Sequence, residues 1–491
     1  MTASGFIDRF LEFSQQQPHA PALREIEAQR QFNYAEARAA IETLRGQLSS
    51  LEVGAGDPVL LMLPLGAEFI FAFYAIASLK AVAVIVSPHL TSWELAPILR
   101  NSRPIGIVSN QELIAAHAEP IATIAPLNFV LSTNGISDLD ELPTYSTATL
   151  LATPLPLEAF GVDNPVISCH HTYKGLITPL AVLHRYHDYT HSIAGMADGL
   201  EIPFEIGDVF LDWLPIYAVY SLSMSVLMPL SYGCEIILLE KVRSNFLQQI
   251  SETRARVVPM IPPMFPLLLR QIEGKPVPPL HPHINITSGG ATLDAGIARR
   301  VQQALGVEVI QGYGTTETLP IIGNHIGKNR LGSIGRSMVA TNRVVILDAH
   351  DQELPAGEQY VGEIAVMGST VCEGFANDPQ NSANFFRAGW FHTGDLGWRD
   401  EEGFFYFVGR RIGITKIAAQ MVDLAEVEQV LALHPAVARA RTQVKDDEEL
   451  QVSVMLHSNF DVDARALREH CRHYLSPHKV PKRFNIYHAN T

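Results

Sequence analysis

Short apolar runs recur along the chain, and they constrain its fold more than any other feature. Residues 59–63 and 81–86 flank a helical pattern over about residues 67–79. Comparable runs follow at residues 209–211, 235–239, 257–261, 285–288 and 307–310. Because strands covered by helices on both faces read as continuous apolar runs, this rhythm predicts an α/β fold with doubly wound sheets. Ligands of such sheets collect at the carboxyl ends of the strands.

The pattern changes towards the carboxyl end. From about residue 332, short strands and turns predict a smaller β-rich lobe, and after Gly409 helical and strand patterns alternate. We therefore predict a large N-terminal domain over residues 1–409. A small, mobile α+β domain, complete or truncated at its carboxyl end, is predicted over residues 410–491.

Charge and composition exclude several classes of protein. The net charge of −15 argues against nucleic acid as the main partner. The most apolar region, residues 58–88, is interrupted by Glu68 and Lys80, so it lacks the roughly 18 apolar residues of a membrane span. Four cysteines lie far apart without metal-type spacing, and the amino terminus lacks a signal-peptide pattern. We predict a cytoplasmic protein.

Residues 311–318, QGYGTTET, form a polar island between apolar runs. A strand that ends in such a turn can offer backbone N–H groups and threonine hydroxyls to a phosphate. The carboxylate of Glu317 can hold a hard cation such as Mg²⁺. The same letters are also typical of an ordinary turn.

Four more glycine-bearing segments accompany this octet: residues 288–291 (SGGA), 332–335 (GSIG), 390–395 (WFHTGD) and 409–411 (GRR). Their order and spacing resemble the adenylate-forming superfamily of acyl- and aryl-CoA ligases, peptide-synthetase adenylation domains and firefly-type luciferases. The resemblance covers nearly the whole chain. It implies that ATP and Mg²⁺ activate a carboxylic acid to an acyl-adenylate. The acyl group then passes to a thiol of CoA or of a carrier protein's phosphopantetheine.

The resemblance also implies roles for single residues. Tyr313 stacks on adenine, Thr316 binds the α-phosphate, and Glu317 holds Mg²⁺. Asp395 accepts hydrogen bonds from the ribose hydroxyls, and Arg410 assists there. The remaining nucleotide-binding residues are Gly289, Gly290, Ala291, Gly312, Gly314 and Thr315. Structural alternatives stay open, since Asp395 could cap a turn and Glu317 or Arg410 could be solvated surface charge.

The phosphate loop departs from the family pattern. The family has a small-residue loop ending in Pro-Lys-Gly, whereas residues 168–184 here read SCHHTYKGLITPLAVLH. Thr178 stands at the lysine position, and Lys174 is the candidate to restore a catalytic charge, although it could equally be solvated. Bulky side chains at His170, His171 and Tyr173 predict a stiffer loop. The resemblance keeps Thr172 and Gly175 as nucleotide-binding residues and His184 as a substrate-binding residue.

Two further departures concern the acid and the carboxyl-terminal domain. Ala218 stands where the family has histidine beside Tyr217, which predicts a wide pocket for an acyl or aryl acid without an α-amino group; a packed strand is the alternative. Asp212 does not match the amine-binding aspartate of peptide synthetases. Ile412 and Ala419 replace the usual hinge residue and tunnel glycine.

The family continues past the equivalent of residue 491 into a segment whose lysine contacts the carboxylate and α-phosphate. Without that lysine, adenylation would slow by roughly 10²–10³-fold. The basic residues of 472–483 are a candidate surface for an acidic carrier protein, or a solvated helix end. Two functions therefore remain: an AMP-forming acid–thiol ligase, or a catalytically impaired homologue that binds an acid, adenylate or nucleotide and acts through a partner.

Overall fold

Two large sheets form the main body of the chain. A computed structural model describes all residues except 1–3, 125–126, 136–138, 140–141, 175–177, 201–202, 243, 273–274, 411–413, 418–419, 446–448, 458–459 and 489–491. In spatial order, the seven-stranded sheet contains Thr144–Ser146, Phe129–Ser132, Gly106–Ser109, Pro58–Met62, Val82–Ile85, Val166–Thr172 and Leu180–Arg185. The nine-stranded sheet contains Arg336–Ser337, Leu319–Gly323, Val309–Thr315, Asn285–Ser288, Val257–Met260, Val209–Asp212, Glu235–Leu238, Pro21–Glu25 and Arg30–Asn33. The central strands of both are parallel, which confirms the predicted α/β class.

Helices cover both sheets. They are Phe6–Gln16, Tyr34–Ser50, Ala67–Ser78, Ser92–Ser102, Gln111–Ala116, Ala118–Ile124, Tyr186–Leu200, Phe246–Thr253, Met264–Ile272 and Ala295–Leu305, with a continuous segment of Val219–Ser221, the π-helical Leu222–Leu227 and Met228–Ser231. Helix Ala67–Ser78 is almost wholly buried, and its side chains share one apolar core with strands of both sheets. The apolar region at residues 58–88 is therefore core. Among the described residues, no helix has the length and apolarity needed to cross a membrane.

A third sheet and a carboxyl-terminal layer complete the fold. The third sheet contains strands Asn342–Leu347, Gly362–Gly368, Trp390–Arg399, Phe386–Arg387 and Phe405–Arg410. Helix Pro379–Phe385 directly precedes Phe386–Arg387 along the chain. We call residues 414–488 the carboxyl-terminal layer; it contains Ile414–Ile417, Gln420–Asp423, helix Leu424–Ala432, Val437–Lys445, Glu449–Leu456, helix Ala464–Tyr474, the 3₁₀ turn Pro477–Lys479 and Arg483–His488. The layer has its own apolar core, on which Trp93 of the main body packs.

The predicted domain boundary after residue 409 remains a prediction. Strand Phe405–Arg410 still pairs with the third sheet at its last residue, opposite Asp395. The predicted hinge residue Ile412 and the tunnel position Ala419 lie outside the described residues.

The octet is mostly strand, so its interpretation as a turn was wrong. Strand Val309–Thr315 runs through both glycines and pairs antiparallel with Leu319–Gly323, which leaves residues 316–318 as the turn. A Cβ atom on Gly314 would lie 2.3 Å from the carbonyl oxygen of Leu319. The glycine is therefore needed for the close approach of two strands, and a sequence rule treats the same residue as a turn former.

The predicted phosphate loop is also shorter than its sequence suggested. Strands Val166–Thr172 and Leu180–Arg185 form an antiparallel hairpin at the edge of the seven-stranded sheet. His170 and His171 lie in the first strand, so the prediction that they stiffen a loop was wrong. Backbone pairing across the hairpin satisfies the N–H and C=O groups that a loop would have exposed.

Candidate functional site

A cavity of about 320 Å³ opens beyond the carboxyl ends of strands Val209–Asp212, Val257–Met260 and Asn285–Ser288. Its walls come from both large sheets, the third sheet and the carboxyl-terminal layer. The predicted residues on these walls are Thr172, Lys174, Tyr217, Ala218, Gly289, Gly290, Gly312, Tyr313, Gly314, Thr315, Thr316, Glu317, Asp395 and Arg410. Ala291 and His184 are not on the walls that the described residues form, and Gly175 lies outside the described residues.

One polar corner of the cavity is organised around Asp395. The Tyr313 hydroxyl donates to Asp395 Oδ2 over 2.8 Å, and Arg410 Nε lies 2.9 Å from Asp395 Oδ1. Burial and, to a smaller extent, the negative charge of Asp395 raise the pKa of Tyr313. Its hydroxyl therefore stays protonated and remains a donor. A carboxylate has about four acceptor positions, so two remain for hydroxyl groups of a ligand. Direct pairing of Asp395 with Arg410 across two strands fixes this geometry.

A buried ion pair faces the same cavity. Lys174 Nζ lies 3.3 Å from Glu317 Oε1 and donates to the Thr393 carbonyl oxygen over 3.0 Å. The two side chains are 9% and 1% exposed. Neither carboxylate oxygen of Glu317 has a hydrogen-bond partner among the described residues. Glu317 is therefore not a solvated carboxylate, and Lys174 is not a solvated lysine.

The Glu317 carboxylate fits a Mg²⁺ ion that is otherwise held by phosphates. Magnesium in nucleotide sites is usually bound through one or two carboxylates and the substrate's phosphates. Two buried acceptor oxygens without hydrogen bonds meet that requirement. In the part of the chain that the structure describes, no cluster of three histidine, cysteine or acidic residues could hold a metal ion alone.

His184 supports the turn behind this ion pair. Its Nε2 atom donates to the Thr316 carbonyl oxygen over 2.7 Å, because a carbonyl can only accept, and its Nδ1 atom lies 3.4 Å from Asp188 Oδ2. The ring is fully buried. These contacts set the position of Thr316, whereas the sequence predicted a direct contact of His184 with substrate.

Much of the remaining cavity wall is apolar. Tyr217 and Ala218 contribute to it as predicted, and sequence reasoning missed Met196, Leu200, Met224 and Met338. The Met338 sulfur lies close to Gly199 and Gly323. A Cβ atom on Gly323 would be 3.0 Å from it. The four missed residues come from three separate segments, and each reads locally as an ordinary core residue. A periodic pattern does not distinguish a buried side chain from one that lines a cavity.

Gly289 and Asp212 differ in their relation to the cavity wall, since Gly289 belongs to it and Asp212 is not among its described residues. A Cβ atom on Gly289 would lie 2.7 Å from the Tyr220 ring, so the glycine makes room for that ring. Asp212 is fully buried and accepts from the Leu214 N–H over 3.0 Å. Burial raises the pKa of Asp212 to about 7. Because Asp212 is absent from the described wall of the cavity, it does not face a substrate amine there.

The carboxyl-terminal layer supplies His478 and Lys479 to the cavity wall. Lys479 was predicted to belong to an exposed basic surface, which was wrong, because it is only 3% exposed. Arg472, Lys482 and Arg483 of the same segment are exposed. Spacing along the chain did not reveal that an ion cluster buries one of these cations.

The comparisons with known proteins identify the class. A family model described as AMP-binding enzyme matches residues 10–164 and 178–376, which is more than half of the chain. The chain therefore belongs to the AMP-binding enzyme family, and the predicted family and enzyme class are confirmed. The interval between the two matched stretches contains Lys174 and the first strand of the divergent phosphate-loop hairpin.

Individual relatives agree with this class. The chain is 28% identical to crotonobetaine/carnitine–CoA ligases of Salmonella typhimurium and Escherichia coli, covering 93% of this chain and 90% and 89% of theirs. The fold matches o-succinylbenzoate CoA synthetase from Bacillus subtilis with a TM-score of 0.82 at 24% identity, covering 98% and 94% of the two chains. It also matches an amide bond synthetase from Marinactinospora thermotolerans with a TM-score of 0.85 at 22% identity, covering 98% and 95%.

Proposed function

We propose that this protein uses ATP to activate an acyl or aryl acid to an acyl-adenylate and transfers the acyl group to the thiol of CoA or a carrier protein. One observation carries the proposal. The wall of a single cavity contains the polar residues Asp395, Thr316 and Glu317 together with apolar residues such as Met338. That arrangement suits a molecule with a nucleotide half and an apolar acyl half.

The chain's own residues supply binding and orientation. In this proposal Asp395, positioned by Tyr313 and Arg410, accepts the ribose hydroxyls. Thr316 donates to the α-phosphate from the turn that His184 supports. Bound Mg²⁺ on Glu317 would offset negative charge as pyrophosphate leaves. Lys174 would then exchange its ion pair with Glu317 for the outer phosphates.

The remaining assigned residues complete the proposed nucleotide and acid sites. Gly289 and Gly290, with Gly312, Gly314 and Thr315, give the base and phosphate a close backbone approach, whereas Ala291 is not on the described wall. Thr172 belongs to the phosphate side, and Gly175, outside the described residues, is assigned there from the family pattern alone. Tyr217 and Ala218 border the acid. The carboxyl-terminal domain, proposed to begin at residue 410, is the part that moves between adenylation and thiol transfer.

We propose an apolar acid, although the enteric relatives are named for crotonobetaine and carnitine. The apolar part of the cavity wall includes Met196, Leu200, Met224 and Met338. Thioether and alkyl side chains bind an uncharged chain or ring and adapt to its shape. Desolvating a charged headgroup against them would be unfavourable.

ATP–pyrophosphate exchange tests the proposal with a panel of fatty and aromatic acids, and hydroxylamine trapping reports the activated acyl group. Exchange with at least one apolar acid, lost in Glu317→Ala, is the expected result. A Glu12→Ala variant, altered on the exposed part of the first helix, is the matched control.

A second candidate function is supported by the divergent phosphate loop, where Thr178 replaces the expected lysine. In that case the protein binds an acid, adenylate or nucleotide without completing the reaction, and acts through a partner. Silence of the exchange assay across the panel, together with calorimetric binding of AMP or an acyl-adenylate analogue, would favour this candidate over the ligase.

A further inference from the structure

Lys479 is buried between two carboxylates that belong to different parts of the fold. Its Nζ atom lies 2.6 Å from Glu94 Oε1 and 2.9 Å from Glu426 Oε2. Glu94 is in helix Ser92–Ser102 of the main body, whereas Glu426 and Lys479 belong to the carboxyl-terminal layer. All three side chains are at most 3% exposed. This ion cluster therefore crosses the contact between the layer and the main body.

Glu94 holds both sides of that contact. Its Oε2 atom accepts from the Thr91 backbone N–H over 2.9 Å, which completes the helix cap, and from the Ser476 hydroxyl over 2.6 Å. The Thr91 hydroxyl in turn donates to the Tyr474 carbonyl oxygen over 2.8 Å. The start of helix Ser92–Ser102 in the main body is thus bonded to residues at the end of helix Ala464–Tyr474 in the layer. If the layer were displaced, these bonds would be lost together.

The third neighbour of the cluster is the phosphate-loop hairpin. Lys479 Nζ lies 4.6 Å from the centroid of the Tyr173 ring, within the range of a cation–π contact. Tyr173 is directly followed by Lys174, the residue that pairs with Glu317 in the cavity. The backbone at Lys174 has φ of +47°, a conformation that costs free energy and must be imposed by its surroundings.

We propose that Lys479 is a positioning residue, which couples docking of the carboxyl-terminal layer to the placement of Lys174 in the cavity. The inference rests on the proposed function only for its catalytic consequence. Lys479 forms an ion pair with Glu94 and another with Glu426, and it packs on Tyr173. If the layer leaves, Tyr173 loses its neighbour and Lys174 loses the support of its strained backbone. Because isolated buried charges are costly, the cluster either stays assembled or separates as a unit.

Hydrogen–deuterium exchange on the full chain tests the coupling. Lys479→Met removes the ammonium and keeps most of the side-chain volume, and Lys482→Met, an exposed lysine of the same segment, is the matched control. We expect Lys479→Met to speed exchange at the start of helix Ser92–Ser102 and around Tyr173 by roughly tenfold or more. Strand Glu449–Leu456 inside the layer should stay protected in both variants. Equal exchange in the two variants at Tyr173 would overturn the proposal.

A kinetic measurement separates positioning from a general loss of structure. Lys479→Met should raise the KM for ATP in pyrophosphate exchange by about tenfold while Lys482→Met leaves it unchanged. If Lys479→Met does not fold, Glu94→Gln supplies the same comparison, since it keeps the side-chain shape and removes one charge. The hydrogen–deuterium exchange experiment does not depend on enzymatic activity. Altered protection in a protein without ligase activity therefore supports the coupling and refutes only the proposed function. An active Lys479→Met with normal protection refutes only the coupling.

Discussion

Breaking the Lys174–Glu317 pair gives the sharpest test of the site. In Lys174→Met, the Glu317 carboxylate stays buried, and no described group donates a hydrogen bond to it. Removing one partner of a buried ion pair typically destabilises a protein by about 3–5 kcal/mol. Both side chains are at most 9% exposed, so solvent screening does not reduce this figure much. We expect a loss of free energy of unfolding at the lower end of that range, because the cavity can admit water.

The partner substitution should cost less. Glu317→Leu leaves the Lys174 ammonium with the Thr393 carbonyl oxygen as acceptor and with its small exposed fraction. A loss of about 1–2 kcal/mol is expected. The double variant places two apolar side chains together, and such replacements of buried pairs are often neutral. The coupling free energy from the four proteins should therefore be about 4–5 kcal/mol in magnitude, the sum of the two single losses.

Equilibrium urea unfolding, followed by tryptophan fluorescence and circular dichroism, measures these differences. Magnesium provides an internal control, since it should stabilise Lys174→Met more than the wild type once the ammonium no longer competes for Glu317. A coupling free energy below about 0.5 kcal/mol would refute the reasoning, because residues without contact behave additively within that error.

Four further outcomes are expected. Asp395→Asn should weaken AMP binding by about 10-fold or more in calorimetry, since hydrogen bonds to a charged acceptor are lost; unchanged affinity would contradict the ribose role. Asp212 holds its proton up to pH of about 7 in the folded state, against 3.8 unfolded, so its contribution to stability declines by roughly 4 kcal/mol as pH rises between those values. In Asp212→Asn, this decline of the urea unfolding midpoint with rising pH should disappear. The same pH dependence in the variant and the wild type would contradict the prediction. Met338→Ala should lower the KM for longer acids by about tenfold relative to shorter ones, a shift absent if Met338 does not bound the acid. Gly314→Ala should destabilise by about 1–3 kcal/mol, and more than Gly312→Ala, whose Cβ atom would lie 3.3 Å from its nearest neighbour; equal losses would contradict the strand geometry.

The sequence predicted secondary structure best where burial alone determines it. Asn285–Ser288 begins and ends at the predicted residues, and helix Ala67–Ser78 ends one residue before its predicted end. Apolar periodicity reports such elements directly because each residue's environment follows from its own element. The structure of residues 311–318 was harder to predict. Gly314 allows two strands to approach closely, but a glycine in this sequence is equally typical of a turn.

Contacts between distant segments were beyond the sequence. Lys479 and Glu94 are separated by 385 positions, and the basic neighbours of Lys479 gave no sign that it alone is buried. Met196 and Met338 line the cavity from elements with ordinary core patterns. By contrast, Asp395 and Arg410 were both singled out by family spacing, and direct strand pairing explains why both are needed at one position.

The Lys479 cluster also has a consequence for the selectivity of the contact between the carboxyl-terminal layer and the main body. Apolar surfaces attract one another in many relative positions. An apolar contact would therefore tolerate misplaced docking of the layer and release the layer slowly. Charges removed from water gain little net free energy even when well paired, yet any shifted arrangement leaves one of them without a partner. A contact formed by Glu94, Lys479 and Glu426 therefore selects one docked position of the layer without a large binding free energy. It rejects wrong placements at little cost in adhesion, which suits the proposed movement of the carboxyl-terminal domain between adenylation and thiol transfer.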